Sequence, residues 1–260
     1  MSDFLQKFWF DKTVLITGAS SGLGWAVTEA LAPYRVHFGL LSRRQERMEE
    51  LVLKLRGSGS SFWFKPCDVR NRNEIETAIR QFHQQTNCLD VVWVNSGIGG
   101  KTAFADWNWD QYQDMIDTNL NGAIYTILAA LRIMAKQGSG HVVGIGSAAS
   151  MRGLPQHAVY SLTKISLRYF IEAMATELPQ INFTVIHPGF VDTPINQGNP
   201  NRIFLQQPEK AARLMIKAVA KRKWHYIYPL PMKWIYHLGR VLPMSFYLWL
   251  LKQPMIANKY

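Results

Sequence analysis

Cysteine is scarce in this chain, and only Cys67 and Cys88 occur among its 260 residues. Two thiols in a chain of this length argue against a disulfide framework and indicate a reducing compartment. No His, Cys and Asp residues cluster with the spacing of metal ligands, so we expect no metal site.

Long apolar runs are also missing. No stretch of about 18 consecutive apolar residues occurs, which argues against a transmembrane helix. The N-terminal sequence MSDFLQKFWFDK carries an acid at Asp3 and lacks the apolar core and cleavage site of a signal peptide. We therefore expect a cytoplasmic protein, free or held peripherally on the cytosolic face of a membrane.

Acidic residues are absent after Glu209. The segment from Lys210 to Tyr260 contains ten basic residues, whereas the preceding chain nearly balances with 19 basic and 18 acidic residues. Most of the net charge of +11 therefore lies in the last fifth of the chain.

The same basic segment is rich in aromatic residues, which are Trp224, Tyr226, Tyr228, Trp234, Tyr236, Phe246, Tyr247 and Trp249. Rings beside cations suit an anionic membrane surface, a lid over the active site that admits a lipid-like substrate, or packing in the core or at a subunit interface, and these alternatives stay open. We expect no nucleic acid partner, because no RNA- or DNA-binding motif accompanies the basic residues.

The composition that is present, 48% hydrophobic and 18% charged residues, indicates one large folded domain. Short apolar runs predict strands at Thr13–Thr17, Val36–Leu41, Phe62–Pro66, Val91–Val94, His141–Ile145 and Phe183–His187. Helical spacing predicts helices at Gly24–Ala32, Arg44–Leu55, Arg72–Gln85, Trp109–Ala135, Ala158–Leu178 and Pro208–Lys221. This alternation predicts an α/β fold, a single Rossmann-type doubly wound parallel sheet with helices on both faces.

We divide the chain into two parts by composition. Residues 1–222 are predicted to form the Rossmann-type domain, with a substrate loop at about 190–222. Residues 223–260 are predicted to form an aromatic and basic C-terminal extension.

A glycine-rich turn, TGASSGLG, follows the first predicted strand and opens the first predicted helix. In this context Gly18 permits a sharp turn, Gly22 lets the backbone approach a pyrophosphate, and Gly24 lets the helix pack on the sheet. We therefore predict a cofactor-binding turn, and the alternative is a tight turn without a ligand. The other predicted cofactor-binding residues of the turn are Ser20, Ser21 and Leu23.

The end of the second predicted strand bears on which nicotinamide cofactor binds. Enzymes that use NAD usually carry an Asp or Glu here, whereas an Arg accommodates the 2′-phosphate of NADP. This chain has Ser42, Arg43 and Arg44, so we predict NADP(H). The alternative is that these arginines cap the following helix or pair with Glu46.

Tyr160 and Lys164 stand four residues apart in a predicted helix, so their side chains leave the same face. A free tyrosine has a pKa of about 10, and a neighbouring ammonium group favours its phenolate. The pair therefore predicts a tyrosine that exchanges protons near neutral pH. Taken alone, both residues are equally well explained as ordinary helix-surface residues.

Several motifs now occur in a recognisable order. They are the TGASSGLG turn, CDV at 67–69, VNSG at 94–97, Asn119 in DTNLNG, Ser147 in GIGSAAS, Tyr160 with Lys164, and HPGFVDT at 187–193. Over roughly residues 10–195 the chain resembles the classical short-chain dehydrogenase/reductase family. Val94 departs from the family pattern, which usually has asparagine there to tie sheet strands together, and this departure puts local stability in doubt.

The resemblance implies four catalytic residues. Tyr160 would be the general acid/base, and Ser147 would stabilise charge on the substrate oxygen. Lys164 would bond the nicotinamide ribose, and Asn119 would hold a water that links Lys164 to solvent. The remaining cofactor-binding residues it implies are Asp68 and Val69 at the adenine, Asn95, Ser96 and Gly97 along the fourth strand, and Pro188, Gly189, Val191 and Thr193 near the nicotinamide.

These features predict an NADP(H)-dependent oxidoreductase that interconverts an alcohol and a carbonyl compound, with a hydrophobic substrate favoured by the apolar tail. The resemblance also implies a homodimer or homotetramer. Two other functions remain open: a non-catalytic NADP(H)-binding protein that senses redox state, and an epimerase or dehydratase on the same scaffold.

Overall fold

The computed structural model describes residues 3–106, 108–197 and 202–253. Its sheet contains seven strands in the order β3-β2-β1-β4-β5-β6-β7, all parallel. The strands are β1 Thr13–Thr17, β2 His37–Ser42, β3 Ser61–Pro66, β4 Val91–Val94, β5 His141–Ile145, β6 Asn182–Pro188 and β7 His225–Tyr228.

Ten α-helices surround this sheet in the described ranges. They are α1 Asp3–Trp9, α2 Gly22–Leu31, α3 Gln45–Lys54, α4 Arg72–Thr86, α5 Trp109–Ile116, α6 Gly122–Gln137, α7 Ala158–Glu177, α8 Pro208–Ala220, α9 Leu230–Val241 and α10 Met244–Leu251. None of the helices in these ranges combines the length and the apolar sequence needed to cross a bilayer.

The sheet has a hydrophobic core on each face. On one face, α1, α2, α3 and α8 pack against residues such as Val14 and Ile16. On the other face, α4, α6 and α7 pack against residues such as Leu15 and Val92. Neighbouring residues of β1 and β4 are therefore buried on opposite faces, which explains why these strands are almost entirely apolar. The predicted doubly wound α/β fold is confirmed.

The predicted single helix over 109–135 is interrupted. Between α5 and α6, residues Asp117–Asn121 form a π-helical turn. Such turns recur at functional sites because they shift the hydrogen-bonding register of a helix. Asn119, a predicted catalytic residue, lies in this turn.

The C-terminal part differs from the sequence-based expectation of a separate extension. Strand β7 pairs with β6 from His225 opposite Val185 to Tyr228 opposite Pro188, so the segment after residue 222 begins inside the sheet. Helix α9 then packs on the segment after β5, where Gly239 lies against Met151. Helix α8 forms part of the segment predicted as the substrate loop. It packs in the core instead, where Met215 is fully buried.

Candidate active site

The predicted motifs meet at one edge of the sheet. Strands β1, β4, β5 and β6 are parallel, so the segments that follow them leave from the same carboxyl edge. In open α/β sheets this edge, at the point where strand order reverses, is where ligands bind. Here the reversal lies between β1 and β4, where the glycine turn faces the VNSG segment.

The glycine turn has no room for side chains at two of its positions. Gly18 has a φ of +69°, and a Cβ added there would lie 2.9 Å from Asn95 Nδ2. A Cβ added at Gly24 would lie 2.7 Å from the same atom. The chain thus leaves β1 by a tight turn that brings its backbone against the end of β4. Gly22 lies beneath Thr193, whose Cβ would be 3.4 Å from an added Cβ.

Asn95 joins the ends of β4 and β1. Its backbone N–H donates to Thr17 Oγ1 at 3.1 Å, and its Nδ2 donates to the carbonyl oxygens of Thr17 at 3.0 Å and Gly18 at 3.3 Å. The Ser96 N–H also donates to Thr17 Oγ1, at 3.2 Å. Val94, which departs from the family pattern, is buried in the core and leaves this strand junction intact.

Arg44 crosses the glycine turn from the end of β2. Its guanidinium donates to Ser20 Oγ from Nε at 3.1 Å, and to Ser21 Oγ from Nη2 at 2.7 Å. The Ser42 hydroxyl donates to Ser20 Oγ at 2.6 Å. No carboxylate among the described residues forms an ion pair with Arg44, so pairing with Glu46 does not account for it. Arg43 is exposed beside this cluster.

Asp68 and Val69 border the same edge. The Asp68 carboxylate pairs with Arg70 at 2.6 Å. Burial alone would raise the pKa of Asp68, but its hydrogen bonds with Arg70 outweigh this and lower it. Val69 is buried against Gly122, where an added Cβ would lie 2.8 Å from Val69 Cγ2. The Asp68 carboxylate is therefore not free, and this border is formed by the Asp68–Arg70 pair and the backbone.

Ser147, at the end of β5, lies close enough to Tyr160 to influence the pKa of its hydroxyl. Tyr160 is partly exposed. The removal of water around its hydroxyl nevertheless raises its pKa, and the interaction with Ser147 lowers it by less. The expected effect of Lys164 on the acidity of the phenol stays a prediction.

Lys164 is buried one helical turn along α7, with 4% of its surface exposed. Its Nζ donates to the carbonyl oxygen of Ile145 at 2.9 Å and lies 5.7 Å from the centre of the Tyr160 ring. Burial lowers the pKa of Lys164 to about 8. A Cβ added at Gly97 would lie 3.4 Å from this Nζ, so the VNSG segment directly faces the lysine.

Asn119 lies beside Lys164, and its side-chain amide is fully engaged in hydrogen bonds. Its Oδ1 accepts from the N–H of Ile98 at 2.7 Å, and its Nδ2 donates to the carbonyl of Ile98 at 2.9 Å and to Thr163 Oγ1 at 3.3 Å. The amide therefore fixes the segment after β4 against α7.

The remaining predicted cofactor residues follow β6. Gly189 donates its N–H to the Tyr228 carbonyl at 2.8 Å, which continues the pairing of β6 with β7 beyond Pro188. Val191 is buried, and its carbonyl accepts from Thr193 Oγ1 at 3.3 Å. Thr193 thereby closes over the glycine turn at Gly22.

A buried polar network that sequence reasoning missed supports the Ser147 turn. Ser150 Oγ donates to the Ser147 carbonyl at 2.7 Å and lies 2.9 Å from His187 Nδ1. His187 Nε2 lies 3.3 Å from His225 Nδ1, and His225 pairs with Glu172. The full set of members is Ser147, Ser150, Arg168, Glu172, His187, His225 and Tyr236. No local signal in the sequence joins segments so far apart.

Because two histidines are buried, we expect the free energy of unfolding to fall in acid. Burial lowers the pKa of both His187 and His141 to about 3, below the value of about 6.5 expected when unfolded. The unfolded chain therefore binds more protons below pH 6.5, and stability falls as the pH drops towards 3. Each histidine should cost about 1.4 kcal/mol on going from about pH 7.5 to 5.5.

Urea unfolding at these two pH values measures the effect. A His141→Asn variant serves as comparison, because His141 bonds only Thr184 Oγ1 among the described side chains, at 2.8 Å. The unfolding free energy of this variant should change with pH about half as steeply as that of the wild type. Equal stability of the wild type at both pH values would contradict the prediction.

The chain was also compared with known proteins. A family model described as short chain dehydrogenase matches residues 12–202. This chain belongs to the short-chain dehydrogenase/reductase family. The family comprises oxidoreductases that use a nicotinamide cofactor on small-molecule substrates. The match of the family model confirms the resemblance seen in the motifs.

Relatives of this short-chain dehydrogenase/reductase include an uncharacterized oxidoreductase of Myxococcus xanthus, 32% identical over 89% of this chain and 93% of the relative. A ketoacyl reductase of Nostoc sp. is 30% identical over 81% of this chain and 76% of the relative. Among solved structures, an alcohol dehydrogenase of Thermococcus sibiricus complexed with 5-hydroxy-NADP matches with a TM-score of 0.77 and 25% identity, covering 84% of this chain and 95% of that one.

Proposed function

We propose that the protein is an NADP(H)-dependent oxidoreductase that reduces a carbonyl compound, or oxidises the matching alcohol, with Tyr160 as general acid/base. The observation that carries this proposal is that the hydroxyls of Ser147 and Tyr160 interact beside the buried Lys164, whose Nζ lies 5.7 Å from the centre of the Tyr160 ring. These three groups lie at the sheet edge where the glycine turn provides a phosphate-binding backbone.

The residues present fit a dinucleotide phosphate cofactor. The turn excludes side chains at Gly18 and Gly24, so that a pyrophosphate could approach its backbone closely. Arg44, with Ser20 and Ser21, would hold a 2′-phosphate, since its guanidinium has no described carboxylate partner and can form paired hydrogen bonds. When bound, the cofactor supplies or accepts the hydride.

Other predicted residues complete the cofactor site in this proposal. Asp68 and Val69 would border the adenine, as their position at the end of β3 suggests. Gly97 and its neighbours Asn95 and Ser96 would lie along the cofactor. The segment after β6, from Pro188 through Gly189 and Val191 to Thr193, would hold the nicotinamide amide.

Tyr160 supplies the proton in the reductive direction. Its raised pKa keeps the phenol protonated at neutral pH, so it can donate to a carbonyl oxygen that gains charge. Ser147 orients that phenol and would donate to the same oxygen. Lys164 has a pKa of about 8, so it is mainly an ammonium at neutral pH. It would return a proton to Tyr160 through the cofactor ribose and solvent.

Asn119 would contribute through the backbone of its π-helical turn. Its side-chain amide is fully engaged with Ile98 and Thr163. A π-helical turn leaves carbonyl groups displaced from their usual donors, and these suit a bound water. We therefore assign the predicted water site to the turn and not to the amide.

The substrate is proposed to be hydrophobic. Apolar side chains with large exposed fractions lie on the segments that follow β4 and β6, among them Phe104, Ile195 and Phe204. A Cβ at Gly99 would lie 3.3 Å from Ile195 Cγ1, so these two segments meet. A homo-oligomer in the cytoplasm is the assembly that the family membership supports.

Turnover of NADPH by the purified protein tests this function. A panel of carbonyl compounds, from small water-soluble ketones to long-chain and steroidal ones, should show oxidation of NADPH with the large apolar members and little oxidation of NADH. Tight NADPH binding without turnover on any of them would contradict the catalytic assignment and favour a binding role. An isomerised product without net NADPH oxidation would favour an epimerase or dehydratase.

A further inference from the structure

Helix α9 exposes a second apolar face. Its residues Leu230, Trp234, Leu238 and Val241, here called the α9 ridge, recur at helical spacing and are 68%, 72%, 58% and 76% exposed. The opposite side of the helix is buried through Met232 and Tyr236. A surface helix ordinarily has one apolar stripe, directed to the core. The ridge is a second stripe that the fold leaves in solvent.

Helix α10 continues this apolar character directly along the chain. Its Met244, Phe246, Leu248 and Trp249 are all exposed, by between 46% and 59%. Tyr247 is buried instead, and its hydroxyl donates to the Gly153 carbonyl at 2.8 Å. The helix is therefore anchored to the domain through Tyr247 and presents these four apolar side chains outward. Exposed apolar patches of this kind mark contact surfaces.

The positive charge of this part of the chain indicates which class of partner the ridge would bind. The sequence from Lys210 to Tyr260 holds ten basic residues and no acidic one. The basic residues on α9 and directly after α10 are Lys233, Arg240 and Lys252, and all three are exposed. A second copy of the same surface would oppose cation to cation, which is repulsive. An anionic lipid surface complements both the charge and the apolar side chains.

We propose that the α9 ridge docks onto an anionic lipid bilayer, with the helix lying in the plane of the interface. Trp234 would sit at headgroup depth, where its ring has an apolar body and a polar N–H. The apolar side chains of the ridge enter the acyl boundary, and Lys233 and Arg240 contact anionic headgroups. With 12 residues, α9 is about 18 Å long, which suits lying on a membrane and not crossing it.

The ridge lies close to the candidate active site. The buried side of α9 packs on Ala148 and Met151, in the turn that follows Ser147. The membrane-facing side is thus about 10 Å, one helix diameter, from that turn. If the proposed reductase function holds, a carbonyl substrate dissolved in the membrane would be present at high local concentration beside the enzyme.

Vesicle flotation tests the docking. The full-length protein is mixed with vesicles of phosphatidylcholine alone or with added phosphatidylglycerol, at low ionic strength and in about 1 M salt, where charges are screened. We expect flotation only with the anionic vesicles, and its loss in salt. A Trp234→Ser, Leu238→Ser double variant should bind about tenfold or more weakly, since two buried apolar side chains are lost.

The matched control is a Phe4→Ser, Leu53→Ser double variant, which removes two exposed apolar side chains on α1 and α3, 46% and 54% exposed. It should float as the wild type does. No flotation of the wild type at low ionic strength, or equal flotation of the ridge variant, would overturn the proposal. A ridge variant that changes only the oligomeric state would overturn it too, and would assign the ridge to a second copy.

NADPH turnover of a water-soluble ketone, measured on the same samples, keeps the two proposals apart. The ridge variant should retain this turnover, because none of the ridge side chains belongs to the candidate site. Flotation as expected with no turnover in any sample would contradict the enzymatic proposal alone. Turnover without flotation would contradict the docking alone.

Discussion

Replacing Tyr160 with phenylalanine is expected to lower kcat by about 1,000-fold or more, because the general acid of the proposed reaction is removed. The phenylalanine ring fills the same space on α7, and Lys164 keeps its bond to the Ile145 carbonyl. The affinity for NADPH should therefore change little. Single-turnover kinetics with a reactive ketone and fluorescence titration with NADPH measure the two quantities separately.

Tyr169 offers the matched control, since it lies on the same helix and is 56% exposed. The Tyr169→Phe variant should have a wild-type kcat. A Tyr160→Phe enzyme that keeps even a tenth of its turnover would exclude the tyrosine as the proton donor. A large loss of NADPH affinity would mean that the hydroxyl mainly organises the cofactor site.

Replacing Arg44 with alanine is expected to weaken NADPH binding by about 100-fold, the loss typical of two charge-assisted hydrogen bonds to a phosphate. NADH lacks the 2′-phosphate, so its affinity should stay near the wild-type value. The ratio of NADPH to NADH dissociation constants, measured by titration, isolates the phosphate contribution from any general damage to the turn.

Arg47 is the comparison for Arg44, because it lies on α3 three residues further and pairs with Glu50. The Arg47→Ala variant should bind both cofactors like the wild type. Equal weakening of NADPH and NADH in the Arg44→Ala variant would place the arginine in the structure of the turn. An unchanged NADPH affinity would remove it from the cofactor site.

Local sequence predicted most of the sheet because its strands are buried on both faces. The run TVLIT forms β1 as expected, and the glycines that follow it take the turn that only they fit. Six of the seven strands were found within about two residues. Ser147 and Tyr160, which the family motifs named, lie near each other because the segment that follows β5 packs beside the start of α7.

Strand β7 escaped prediction because little in its own sequence distinguishes it. The residues HYIY lie in a basic and aromatic segment, and they form a strand because β6 offers an open edge for pairing. The burial of Tyr160 was hidden from sequence reasoning for a similar reason. The spacing to Lys164 is visible in sequence, but the burial that raises the pKa of Tyr160 depends on tertiary packing.

The residues that support the Ser147 turn are synthesised later than the turn itself. The ribosome adds residues from the N-terminus, so Ser147 and Tyr160 are synthesised before His225 and Tyr236. Until β7 joins β6, His187 lacks its bond to His225, and Ser150 lacks Tyr236. A nascent chain can therefore complete the polar network behind Ser147 only after residue 236 has been added.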